Sequence, residues 1–127
     1  MPNVVAGALL IVSLGLAHAS AWAAAPITIK NDLAACVTVK ADPPSSQANA
    51  VLANVRFDLR KSIGECGCLS ALATYTSSVN RDGTPQRLQE GLIGLKSSAS
   101  KTLALATEPA LVGKFPIQLQ LACAGPR

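Results

Sequence analysis

Three observations predict an all-β fold for this chain: about seven short runs of alternating apolar and polar residues, dense turn signals between them, and no long helical pattern. The class they predict is an antiparallel two-layer β-sandwich of immunoglobulin-like type, with a small Greek-key barrel as the alternative. A length of 127 residues leaves room for one domain. No internal repeat divides it.

Ile27 to Asn31 alternates and stops at the Asn31-Asp32 turn signal, which predicts a short first strand. Leu33 to Lys40 puts Leu33, Ala35, Val37 and Val39 on one face and reads as the second. Ala41 to Asn49, with Pro43-Pro44 and Ser45-Ser46, reads as a loop. The clearest alternation follows: Val51, Ala53, Val55, Phe57 and Leu59 oppose Leu52, Asn54, Arg56, Asp58 and Arg60, one core face and one mostly polar face. Gly64 to Cys68 interrupts the pattern, and Leu69 to Val79 resumes it. Asn80-Arg81-Asp82-Gly83-Thr84-Pro85 predicts a hairpin or a crossing between sheets. Arg87 to Leu95 does not alternate cleanly, and Gly91 and Gly94 weigh against a helix, so a strand with a bulge or kink is expected. Ser97 to Ser100 is a loop, Thr102 to Thr107 a short strand, Glu108-Pro109 a break and Phe115 to Cys123 the last strand. Ala124 to Arg127 is expected to fray.

Before the first strand, Val4 to Ala17 is apolar except for Gly7, Ser13 and Gly15, and Ala19 to Ala25 is built of small residues around Trp22. That is the pattern of a secretory signal peptide with an Ala21-Trp22-Ala23 cleavage site, although its n-region lacks the usual Lys or Arg. A transmembrane anchor needs about 20 mostly apolar residues, and this run reaches that length only by including His18 and Ser20. The expected organisation is therefore a signal peptide over 1–23 and one domain over 24–127, with no membrane span after cleavage.

Cleavage removes His18 and Trp22, so the mature chain has neither histidine nor tryptophan. Ser-His-Asp and Cys-His arrangements and His-containing zinc sites are then excluded. The carboxylates Asp32, Asp42, Asp58, Glu65, Asp82, Glu90 and Glu108 are spread singly and read as a solvated surface. Gly91 and Gly94 lack the strand-to-helix context and the Lys-Ser/Thr of a phosphate loop. The net charge of +4 is carried by isolated residues, with only Arg60-Lys61 adjacent, and offers no clustered face for nucleic acid. Neither an enzyme nor a cofactor is expected.

The sequence has four cysteines: Cys36, Cys66, Cys68 and Cys123. In a small exported chain they are most simply two disulfides. Extended backbone at Gly67 would hold the Cα atoms of Cys66 and Cys68 about 6.5 to 7 Å apart, at the limit for a bond between them. Each would then seek its own partner, Cys36 or Cys123. Gly67 also permits a tight turn, in which a strained Cys66 to Cys68 bond could form and exchange. The crossed arrangement is the structural reading, and strand parity does not decide the matter.

The stretches Glu65-Cys66-Gly67-Cys68-Leu69-Ser70-Ala71-Leu72, Gln89-Glu90-Gly91-Leu92-Ile93 and Ile117-Gln118-Leu119-Gln120-Leu121-Ala122-Cys123 together resemble a family of small exported proteins of Gram-negative bacteria, known only as a domain of unknown function. The resemblance covers nearly all of the mature chain. It implies a periplasmic or secreted location and carries over no catalytic or binding residue. The expected function is thus an exported, non-enzymatic binding or accessory domain held by two disulfides, its partner another exported protein. The alternative is thiol-disulfide exchange or soft-metal (copper) handling through Cys66-Gly67-Cys68. A third reading makes Ala41 to Asn49 or Asn80 to Pro85 the inhibitory loop of a stapled scaffold.

Overall fold

The computed structural model describes residues 26–125; the signal-peptide reading and the end of the tail lie outside them. Eight strands follow one another among the described residues: β1 (Thr28–Asn31), β2 (Val37–Ala41), β3 (Ser45–Gln47), β4 (Ala50–Leu59), β5 (Leu72–Arg81), β6 (Thr84–Gly94), β7 (Ala99–Ala106) and β8 (Ile117–Cys123). A 3-10 turn, Ile63–Cys66, joins β4 to β5, and the one-turn helix α1 (Pro109–Val112) joins β7 to β8.

The strands form two sheets. The first has the order β1-β8-β5-β6, with β1 parallel to β8 and the other pairs antiparallel. In the second, β4 pairs with β2 through Val55–Leu59, with β3 through Ala50–Leu52 and with β7 along Val51–Phe57. A strand has two edges, so β2 and β3 share one and β7 takes the other. The Asp42 N–H donates to the Asn54 carbonyl at 2.9 Å, extending the β2 ladder by one residue. Pro43 and Pro44 then supply no donors and divide the edge in two.

Both sheets contribute to one core. Val51, Ala53, Val55 and Phe57 of β4 and Leu103 and Leu105 of β7 face Ala73, Tyr75 and Val79 of β5 and Ile117, Leu119 and Leu121 of β8. These are the apolar positions of the alternating runs. Hydrogen bonds also cross between the layers. The Tyr75 hydroxyl donates to the Ala104 carbonyl at 3.0 Å, and the fully buried Ser77 hydroxyl donates to the Leu105 carbonyl. Burial pushes the Tyr75 hydroxyl's pKa above its ordinary value. A register shift in β7 leaves Leu105 without an opposite residue, and both Leu105 and Ala106 are buried.

The bulge expected in Arg87 to Leu95 lies at Leu88: Ser77 pairs with Gln89 and Ser78 with Arg87. Gly91 has a packing reason. A Cβ there would stand 2.5 Å from Tyr75 Cε1, so the tyrosine ring occupies the space that a side chain on β6 would need. At the far end of β5, the Arg81 guanidinium lies 5.0 Å from the Phe115 ring centroid and donates to the Leu111 carbonyl, holding the β7–β8 connection.

Several boundaries differ from the sequence reading. Leu33 to Cys36 is turn, not strand, because the Asn31 side chain accepts from the Leu33 N–H and donates to the Val37 carbonyl, closing a local loop. Ala41 to Asn49 contains β3. Leu69 to Ala71 precedes β5, and Leu69 is 84% exposed rather than on the core face. The break at Glu108-Pro109 starts α1, with proline favoured in the first helical turn. Ala124 donates to the Leu72 carbonyl at 3.1 Å, so the ladder continues past Cys123 instead of fraying there.

β3 and β4 are joined by Ala48-Asn49, at φ 49° and 66°, a two-residue turn with both residues left-handed. Asn49 tolerates this conformation, whereas an alanine there costs about 1 kcal/mol or more. Ala48→Asn is therefore expected to raise the unfolding free energy by ~0.5 to 1 kcal/mol. Urea titration checks this, and an unchanged midpoint would show that the turn carries no strain.

Candidate functional site

After β4 the chain enters the 3-10 turn, where the Ser62 hydroxyl accepts from the Gly64 N–H at 3.3 Å. Gly67 then adopts a left-handed conformation, φ 94°, with its N–H on the Gly64 carbonyl, and the Cys68 N–H reaches the Ile63 carbonyl at 3.2 Å. Glycine is the residue that closes such a turn without a Cβ penalty.

The pairing is the crossed one. Cys36 bonds Cys66 with Cα atoms 6.2 Å apart, and Cys68 bonds Cys123 at 5.2 Å. Extended backbone at Gly67 is the conformation expected of an anchor, and a turn that of a local bond. Here the backbone is turned and the sulfurs still diverge, one to the β1–β2 turn and the other to the last residue of β8. Cys36 is fully buried and Cys68 nearly so. The surrounding backbone is satisfied too: the Cys36 N–H donates to the Leu33 carbonyl, its own carbonyl accepts from the Arg60 N–H at 2.8 Å, and the Arg60 guanidinium donates to the Ala34 carbonyl. No cysteine is free. A redox step through Cys66 and Cys68 would begin by opening two separate bridges.

Beside this crossing lies a cleft of about 380 Å³, lined by Ala71, Leu72, Gly94, Lys96, Ala99 and Lys101 among others. It is mostly apolar and no acidic residue lines it. Lys101 pairs with the fully buried Val55, so it stands on the core-facing side of β7, and it is half-buried. Neither lysine forms an ion pair among the described residues, where the ion pairs are Arg56 with Asp58 and Arg87 with Glu90. The three exposed large apolar residues, Leu69, Leu72 and Leu92, gather at this end of the first sheet.

The two loops weighed as inhibitory segments are short and largely exposed. Asn80 to Pro85 is the tip of the β5–β6 hairpin, closed by Asp82-Gly83, and Ala41 to Asn49 is taken up by β3 and its tight turn. Among the described residues no three His, Cys, Asp or Glu side chains converge, and no helix is long and apolar enough to cross a membrane.

With this geometry in view, comparison with known proteins adds one finding. A family model described as uncharacterised proteins conserved in bacteria (DUF2195) matches residues 9–126. The chain belongs to that family. No curated protein and no solved structure matched it. The family match spans the whole described domain, including all four bridged cysteines, the cleft and the exposed leucines.

Sequence reasoning located the four cysteines of this family member but missed the cleft. Lys96, Lys101 and Leu92 carry no motif. One signal was available: extending the β7 alternation back from Leu103 puts Lys101 and Ala99 on the apolar face, and a lysine at such a position marks either a guarded edge or a site.

Proposed function

We propose that this family member is an exported, non-enzymatic binding or accessory domain, periplasmic or secreted in a Gram-negative bacterium. The observation that carries the reading is the crossed pair of disulfides, which ties the middle of the chain to the β1–β2 turn and to the end of β8. Such bridges persist in oxidising compartments and are rare in the cytosol, and the leader-like pattern before Pro26 agrees with that. They also hold rigid the connection from which the cleft wall at Ala71 and Leu72 is built. The two-layer arrangement and the parallel pairing of β1 with β8 support an immunoglobulin-like assignment, while the hairpin pairing of β2 and β3 with β4 departs from the usual strand order of that fold.

Fractionation of the native bacterium combined with thiol-specific mass labelling tests this reading. The expected result is protein outside the cytoplasm, starting at Ala24, with no labelled thiol. Cytoplasmic protein with four reactive thiols, or protein with stoichiometric bound metal, would overturn it.

A further inference from the structure

We propose that the second half of the β6 edge, Gly91–Gly94, together with the adjoining cleft, binds the C-terminal strand of another protein, taking its free carboxylate on Lys96 and Lys101. The proposal rests on the binding-domain reading above and names the partner's chemistry.

β6 pairs only with β5 among the described residues, so its other edge is open. The first half of that edge is guarded in the ways that natural sheets use: Pro85, the bulge at Leu88 and the charged Arg87 and Glu90. The second half, Gly91-Leu92-Ile93-Gly94, has no proline, charge or bulge. Its hydrogen-bonding direction is known from one contact, since the Leu95 N–H donates to the Ala71 carbonyl at 2.8 Å. Donors alternate along a strand, so the Leu92 and Gly94 N–H groups point to the open edge. A strand added there meets two donors and, on its outer face, the 53% exposed Leu92 side chain.

The cleft supplies the end of the site. On the same outer face as Leu92, and with nothing within 4 Å of where its Cβ would be, Gly94 lines the cleft. Its volume and apolar lining suit a single side chain, and its two lysines without acidic neighbours suit an anion. A peptide carboxylate provides both features at once, the terminal side chain on apolar surface and the charge on the lysines. Because β6 runs towards Lys96, the bound strand runs parallel to β6. A small apolar carboxylate would leave the unguarded edge unexplained.

Fluorescence polarisation with labelled Thr-Val-Thr-Val-Thr-Val, as free acid and as C-terminal amide, tests this on the oxidised protein. The free acid is expected to bind saturably and about tenfold or more tighter than the amide. Lys96→Gln with Lys101→Gln is expected to bring the two together. Leu92→Pro, which removes an edge-facing donor together with the exposed leucine side chain, is expected to weaken both, and a peptide N-methylated on its own edge does the same without altering the protein. Equal binding of acid and amide, or no saturable binding, overturns the proposal. So does octanoate binding as tightly as the acid, or a β6-mediated dimer that the peptide fails to dissociate. Thiol titration and metal analysis of the same samples separate these failures from failure of the binding-domain reading, which falls if the bridges are absent or metal is bound stoichiometrically.

Discussion

Replacing Cys68 and Cys123 together by alanine is expected to lower the unfolding free energy by about 4 kcal/mol, which for a domain of this size is a fall in Tm of more than about 15 °C. The bridge closes a sequence separation of 55 residues, and the stabilisation from constraining the unfolded chain lies between the ~3 kcal/mol of a 15-residue loop and the ~4.7 kcal/mol of a 100-residue one. The Cys36–Cys66 bridge closes a separation of 30, so its entropic share is smaller. Its sulfur at Cys36 is fully buried, however, and the alanine pair there also leaves a void. Thermal unfolding of the two paired variants, beside wild type with and without reductant, measures both contributions. A loss under about 1 kcal/mol for the Cys68/Cys123 pair would show that β8 is held by its pairing with β1 and β5 and by its core contacts, and that the crossing is not a structural staple.

The second large effect belongs to Gly91. Its replacement by alanine is expected to cost ~1 to 3 kcal/mol, because the new Cβ would lie 2.5 Å from the Tyr75 ring. The ring cannot swing aside freely, since its hydroxyl is tied to Ala104 across the core. Tyr75→Leu should remove most of that cost, so the pair is expected to be strongly non-additive in a double-mutant cycle. An additive cycle would place the cost of Gly91→Ala in the backbone of β6 instead. Tyr75 also makes stability depend on pH. Its pKa in the folded state is raised by burial, so the folded protein holds the proton more tightly than the unfolded chain. The resulting stabilisation is complete below the ordinary tyrosine value of about 10 and is lost as pH rises past it through the folded-state value. Tyr75→Phe should abolish that part of the alkaline fall in denaturant midpoint.

Much of the fold was legible because burial on one face imposes period two on a strand. The run from Val51 to Leu59 corresponds to β4, Ala73, Tyr75 and Val79 line the core as their parity requires, and Ile117, Leu119 and Leu121 do the same in β8. What parity cannot see is a local side-chain bond, and the contacts of Asn31 turned Leu33 to Cys36 out of the expected strand. Nor can it see a three-residue edge strand without a buried face, which is why the sequence of β3 reads as loop. The cysteines stood out by type. Their connectivity did not, because Gly67 permits both an extended and a turned backbone and the choice rests on where Cys36 and Cys123 arrive in space. The cleft was least legible: it depends on a glycine that leaves space and on a lysine whose facing is set by the register of β7 against β4.

The treatment of the sheet edges has a consequence for stoichiometry. β1 is only four residues long, the β2/β3 edge is cut by Pro43-Pro44, two β7 carbonyls accept hydroxyls from β5, and half of β6 is guarded. A chain that can pair through several edges can polymerise, each copy accepting one neighbour and offering itself to the next. With a single unguarded half-edge among its described strands, the proposed strand addition is expected to be one-to-one.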